Sequence, residues 1–340
     1  MTEAQALKAR QAALSEIRKD EETKTGLVCE PVTLYQGGEY WIYRYRKFTD
    51  VRLVAAPEVQ VASFGGDADN YTYPRWNLDF ALFRIYENGK PYHPEAFLPF
   101  GTQSLQSGDL TFVTGHPGTT FRQQTYAQMR FARDLGIPTR LRSLEHQKRA
   151  LQAYAATSAE AARLAADPIY GIENAQKRLT GQLLGLQKEA NLRKVLEAER
   201  ALRAAVAKDP VLERRVGSSW SAIERAVARQ AALLSESNLL DTRNSTLLGH
   251  ALTLVRLHHE LQKPSDQRLP EYSDGSLKAT RARILNPRPI EKDLDRVRLE
   301  AGLREALEIL GPNHPFLQVI LGGQSPEPVA RQAVEGTRLH

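Results

Sequence analysis

The chain has 340 residues, with 46 Lys and Arg against 40 Asp and Glu, and a single cysteine, Cys29. That length suits one large or two ordinary domains, and 25% charged residues exclude wholesale disorder. No apolar run approaches the roughly 20 residues a membrane span needs, and a lone cysteine excludes an internal disulfide framework and a cysteine-based zinc site.

The first ten residues, from Met1 to Arg10, follow an amphipathic helical pattern without the apolar core of a signal peptide. Gly26–Tyr35 and Glu39–Phe48 read as strands joined by a hairpin at Gly37-Gly38. In the second run Trp41, Tyr43 and Tyr45 fall on one face, with Arg44 and Arg46 on the other. That is period-two alternation with one packed and one wetter side. Val51–Pro57, Val59–Phe64, Phe80–Glu87 and Leu110–Thr114 predict four further short strands, with a turn at Asn88-Gly89. Many short strands at this spacing indicate an antiparallel barrel or a sandwich.

Near residue 125 the pattern changes to helix. Leu179, Leu183 and Leu186 recur at i, i+4, i+7, as do Leu303, Leu307 and Leu310. Thr157-x-x-Glu160 and Ser221-x-x-Glu224 read as capping boxes. Asp209-Pro210 and Gly217-Ser218-Ser219 punctuate the helices, and Lys263–Ser276 reads as a loop between two helical groups. The expected organisation is α+β: a β-rich domain over residues 1–125, opened by a helix, then an all-α domain over 126–340.

The positive charge belongs to the second part. Residues 1–125 carry 13 basic and 15 acidic side chains, and 126–340 carry 33 and 25. Its arginines alternate with glutamates along helical patterns, as at Arg193, Glu197, Arg200 and Arg203. That reads as solvated helix faces, not a nucleic-acid footprint.

The densest polar constellation is residues 64–80, Phe-Gly-Gly-Asp-Ala-Asp-Asn-Tyr-Thr-Tyr-Pro-Arg-Trp-Asn-Leu-Asp-Phe. Asp67, Asp69 and Asn70 supply oxygens, but the spacing fails a calcium loop, whose fifth position would be Tyr71. Asp79 opens an apolar run, so it needs a partner if buried: a backbone N–H, Arg75, or the imidazole of a Ser-His-Asp triad. The remaining triad members are not evident. His116 sits in a Gly-Pro-Gly turn, and His258-His259 lies mid-helix. No His-x-x-x-His pair or Gly-x-Ser-x-Gly elbow occurs. Ser276 and Ser325 fall in turns between helices.

The 64–80 stretch closely resembles the signature of the bacterial dipeptidyl-peptidase VII/XI family of serine exopeptidases. Thr25-Gly-Leu-Val-Cys, Thr49-Asp-Val-Arg-Leu-Val-Ala-Ala-Pro-Glu and Phe112-Val-Thr-Gly-His-Pro-Gly-Thr-Thr extend the similarity. The resemblance implies a chymotrypsin-like double β-barrel with an inserted helical domain capping the cleft, here a partial barrel followed by a large helical cap. It also implies release of dipeptides from free peptide N-termini. No cofactor and no metal are expected. Asp79 matches the family's catalytic aspartate. Asn70 and Tyr71 match its anchor for the substrate's α-amino group, where an amide oxygen beside an aromatic face holds a cation. The aromatic is often Trp in that family. The catalytic His and Ser are expected before and after the stretch seen here, so the chain is expected to be inactive alone. The alternative is a non-catalytic module that binds peptide N-termini. Expected partners are peptides with a free N-terminus and a second copy or a complementing chain, not nucleic acid or membrane. The family is periplasmic or secreted, while a chain without a leader would stay in the cytoplasm.

Overall fold

A computed structural model describes residues 3–339 except 36, 63–64, 116–122, 240–243 and 287, with backbone alone at 3, 4, 8, 238 and 266. Phe64, His116 and His340 lie outside the described residues. The fold is α+β. Among the described residues every strand precedes residue 92, and helices dominate from 126 onward. Contacts divide the chain into two compact units, residues 1–49, 143–173 and 235–340, and residues 50–142 and 174–234.

In the first unit, helix α1 (Glu3–Thr25) stops at Gly26, whose φ of +66° suits the left-handed position after a helix. Strands β1 (Val28–Leu34) and β2 (Glu39–Tyr45) form the expected antiparallel hairpin, closed at Leu34↔Glu39 by a longer connection than the two glycines alone. The register puts Val28, Glu30 and Val32 opposite Tyr45, Tyr43 and Trp41, and Cys29, Pro31 and Thr33 opposite Arg44, Ile42 and Tyr40. The second set faces α1. Cys29 is buried, Arg44 pairs with Glu21 at 2.9 Å, and the Arg10 guanidinium lies 5.6 Å from the Tyr40 ring centroid. Glu22 accepts from the Cys29 N–H (3.1 Å) and from Arg18 Nε (3.2 Å). The aromatic face is the open one, with Trp41 54% exposed.

The helices of this unit pack around Leu303, Ala306, Leu317, Leu321 and Ala330, which are buried on α11 (Lys292–Leu310), α12 (Pro315–Leu321) and α13 (Pro326–Glu335). Leu307 and Leu310 pack against that cluster. Each fully buried leucine contributes about 1.5–3 kcal/mol. Asp295, buried on α11, caps helix α9 (Thr246–Leu261): it accepts from the Ser245 hydroxyl (2.7 Å) and from the N–H groups of Thr246 (2.6 Å) and Leu247 (3.2 Å). Three donors at a helix N-terminus offset the desolvation of that carboxylate.

In the second unit, β3 (Asp50–Ala55), β4 (Leu82–Glu87) and β5 (Lys90–Pro91) form an antiparallel sheet in that order. Asn88 and Gly89, both at positive φ, make the expected turn. Val59–Ala62 is one short helix (α2) instead of a strand, and residues 110–114 form no strand. Helix α3 (Tyr126–Phe131) starts at a Thr125–Gln128 capping box and runs through a π-turn at Ala132–Gly136 into α4 (Ile137–Ala155), which belongs to this unit as far as Arg142. Helix α5 (Ala159–Gln187) belongs to it from Asn174, and α6 (Glu189–Ala207), α7 (Pro210–Val216) and α8 (Ser219–Leu239, as far as Leu234) follow.

Asp209-Pro210 breaks the helices as expected, and there Asp209 caps α7 with Pro210 at its first position. The two expected capping boxes differ. The Ser158 hydroxyl, not Thr157, accepts from the Ala161 N–H at the start of α5, and Ser221 lies inside α8. Arg193, Glu197 and Arg200 are exposed, but Arg203 bridges Glu199 (2.6 Å) and Glu224 (2.9 Å) beside the Trp220 ring.

Candidate functional site

Within the described residues from 50 to 115, only Gly65 and Asn70 are buried. Around them large apolar side chains stand open, with Trp76 95% and Phe100 fully exposed. The buried point of this segment is therefore the loop of the sequence motif, built from two successive turns. The Asn70 N–H donates to Asp67 O (3.1 Å), and the Thr72 N–H donates to Asp69 O (2.9 Å). Tyr71 takes a left-handed φ of +63°, which aims its side chain back along the loop.

That conformation converges on α5. Asn70 Nδ2 donates to Gly65 O and to Asn174 Oδ1, each at 3.0 Å. The Tyr71 hydroxyl donates to the same Asn174 oxygen at 2.9 Å. Lys177, one turn further along α5 on the same face, donates its ammonium to Asp67 O and to Ala68 O (2.7 Å). All of these residues belong to the second unit.

The network fixes which way both amides point. Gly65 O is an acceptor only, so the Asn70 nitrogen must face it. The same nitrogen then requires an acceptor on Asn174, which turns that residue's oxygen inward to meet the tyrosine hydroxyl as well. Two groups are left over: Asn70 Oδ1, an acceptor, and Asn174 Nδ2, a donor. Neither has a hydrogen-bond partner among the described residues. An ammonium group needs acceptors and a peptide carbonyl needs donors, so the pair matches the two polar groups at a peptide's N-terminal residue.

Asn70 and Tyr71 are thus brought together, and Asn174 joins them. No motif marks Asn174, which lies mid-helix 104 positions away. Asp79 is not part of this network. Its side chain is 61% exposed, with Arg75 Nη2 3.8 Å away, which is the arginine partner among the alternatives the sequence left open.

The other sequence candidates serve the scaffold. His146 Nε2 meets Ala301 O, linking α4 to α11, and His314 sits 3.6 Å from Glu236. His258 and His259 occupy the last turn of α9, not its middle. Ser276 is in the first turns of α10 (Asp274–Ile284) and not in a turn between helices, while Ser325 is the residue before α13. Among the described residues no group of three or more His, Cys, Asp or Glu is placed to hold a metal ion.

The model of the family described as Peptidase S46 matches residues 1–340. The chain belongs to the peptidase S46 family. Among S46 relatives, the Asp/Glu-specific dipeptidyl-peptidase of Shewanella putrefaciens is 29% identical over 267 residues, 75% of this chain and 36% of that protein. The dipeptidyl-peptidase 7 of Porphyromonas endodontalis is 38% identical over 124 residues, 33% of this chain and 15% of that protein. The crystal structure of Porphyromonas endodontalis DPP11 in complex with the dipeptide Arg-Glu superposes with a TM-score of 0.67 at 19% identity. It covers 96% of this chain and 49% of the DPP11 chain, and it shows that the S46 chain shares that fold. The chain spans between about a seventh and a half of the length of these relatives.

Proposed function

We propose that this chain supplies the substrate-amine site of a serine-type dipeptidyl-peptidase, an enzyme that releases dipeptides from free peptide N-termini. The observation that carries this is the locked orientation of Asn70. Its buried amide spends both N–H bonds on Gly65 and Asn174 and leaves only its oxygen for a ligand. An acceptor held this way discriminates a protonated amine from an acylated one, which is the discrimination an exopeptidase needs. Asn174 Nδ2 takes the carbonyl of the same residue, and the Tyr71 ring forms the wall beside it.

Acyl transfer also needs a nucleophile and a base within hydrogen-bond reach. His146 meets Ala301 O, His258 meets Gln262 (3.2 Å) and His314 faces Glu236, so the site described here binds and orients. In the complete active site Asp79 is the carboxylate that orients the histidine. The open apolar side chains between residues 50 and 115 fit a surface that further barrel strands cover, whether from a longer chain or a complementing one. A non-catalytic module that binds peptide N-termini is favoured instead by the present pairing of Asp79 with Arg75 in solvent.

Calorimetry with the dipeptide Arg-Glu and its N-acetylated twin tests the amine site. Binding of the free dipeptide at least tenfold tighter is expected, and equal binding would remove the proposal. Dipeptidyl fluorogenic substrates, offered to a longer or complemented form of the chain, then separate the two readings. Turnover there that Asp79→Asn abolishes supports the peptidase, and binding without turnover in that form supports the module.

A further inference from the structure

We propose that Lys177 is a positioning residue for Asn70, clamping the turn from which Asn70 reaches the ligand. The inference rests on the amine-binding reading of Asn70 and adds a residue that no motif singles out. Asp67 O accepts two donors, the Asn70 N–H that closes the turn and the Lys177 ammonium. Ala68 O accepts the same ammonium at 2.7 Å. A turn that aims two successive carbonyl oxygens to one side concentrates negative potential there. A cation resolves it with charge-assisted bonds, about twice as strong as neutral ones.

Helix α5 therefore grips Asn70 twice. Asn174 holds the side-chain amide, and Lys177, three residues on, holds the backbone of its turn. Without Asn174 the Asn70 amide keeps only its bond to Gly65 O, and without Lys177 the turn that carries it keeps only the Asn70 N–H to Asp67 O bond and that same amide bond. Its ammonium is committed to two backbone carbonyls, so Lys177 spends its donors on the loop and leaves Asn70 Oδ1 to accept from a ligand.

The test compares Lys177→Met, which keeps the stem and removes the donors, with Lys177→Gln as a second variant and Lys177→Arg as the rescue. Arg178→Met, which removes the same charge from an exposed neighbouring position on α5, is the control. The first readout is amide hydrogen exchange in the unliganded chain. Exchange at Asn70 and Thr72 is expected to rise about tenfold in Lys177→Met and Lys177→Gln, with the α5 amides and the melting temperature nearly unchanged. Lys177→Arg and Arg178→Met are expected to exchange like the parent. The second readout is the ratio of affinities for Arg-Glu and N-acetyl-Arg-Glu, which is expected to fall about tenfold in the Met variant and to recover in the Arg variant.

Unchanged exchange at Asn70 in both donor-free variants overturns the clamp. Raised exchange with an unaltered affinity ratio makes Lys177 scaffold only and overturns its positioning role. Equal binding of both dipeptides by the parent chain is a different failure, that of the amine site itself, and exchange alone then decides what Lys177 does.

Discussion

Asn70 Nδ2 donates to Asn174 Oδ1 at 3.0 Å across 104 positions of sequence, and this bond turns a loop motif into a shaped site. Removing the amide with Asn70→Ala leaves Gly65 O and Asn174 Oδ1 each short of a donor, at a cost of about 1–3 kcal/mol. Asn70→Asp is worse at neutral pH because it sets a carboxylate against two oxygens that can only accept. Those neighbours favour the protonated acid, so the folded-state pKa of the new carboxyl lies above its unfolded value. Its contribution to stability is then fully present below the unfolded pKa and is lost as pH rises through the folded one. Urea denaturation should show Asn70→Asp recovering toward Asn70→Ala on acidification, whereas the parent shows no such gain from this position. A flat pH dependence of the difference would mean that the amide is not oriented as described.

Half of this site was legible in the sequence. Asn70 and Tyr71 lie in a stretch dense enough in Gly, Asp, Asn and aromatics to be singled out, because a loop that must turn twice and present polar groups uses those residues. Asn174 and Lys177 carried no such mark. On an amphipathic helix an Asn and a Lys three apart look like any solvated pair, and only the tertiary fold brings them to the loop. The hairpin shows the same limit. Alternation separates Trp41, Tyr43 and Tyr45 from Arg44, yet it does not say which face a helix covers. Here Glu21 and Glu22 of α1 select the side of Cys29 and Arg44, since they satisfy the Cys29 N–H and the guanidinium there. Val59–Ala62 holds two valines but is helical, and the N–H groups of Val61 and Ala62 both donate to Glu58 O within one turn.

Glu260 supplies a pH-sensitive latch in the first unit. Lys263 Nζ (2.6 Å) and the Leu269 N–H (2.7 Å) bond its carboxylate, and the lysine bond first, then the backbone bond, hold its pKa below the ordinary 4.5. A lowered carboxyl pKa contributes stability that is complete above the unfolded value and lost as pH falls through the folded one. Acidification below about pH 4.5 is therefore expected to loosen the 263–273 connection, seen as faster amide exchange at Leu269. Glu260→Gln should remove that acid response. If the variant keeps it unchanged, another carboxylate controls the connection.

Core and surface of the helical region should separate sharply under mutation. Leu317 is 1% exposed and Val319, two residues on along α12, is 81% exposed. Leu317→Ala should cost about 2–5 kcal/mol through lost burial and the cavity left behind. Val319→Ala should stay within about 0.5 kcal/mol. Chemical denaturation measures both. Similar values for the two would show that another surface covers Val319 in solution.

Asp79 tests whether the peptidase reading extends from binding to chemistry. In its present setting the carboxylate is open to solvent, with Arg75 3.8 Å away, and an exposed pair of that kind contributes about 0–1 kcal/mol. Asp79→Asn is therefore expected to leave the melting temperature within error and the binding of Arg-Glu unchanged, because neither Asn70 nor Asn174 touches it. Its effect belongs to turnover. In a preparation that cleaves dipeptidyl substrates, whether through a longer chain or an added complementing one, Asp79→Asn should lower kcat by a factor on the order of 10⁴, as loss of the imidazole-orienting carboxylate does in a serine triad. KM should change little, since the residue acts through the base and not on the peptide. Arg75→Gln separates this from a surface role: it breaks the ion pair while keeping the carboxylate, so kcat should survive it. A parallel loss of kcat in both variants would assign the function to the ion pair, and an unaffected kcat in Asp79→Asn would remove Asp79 from the catalytic machinery.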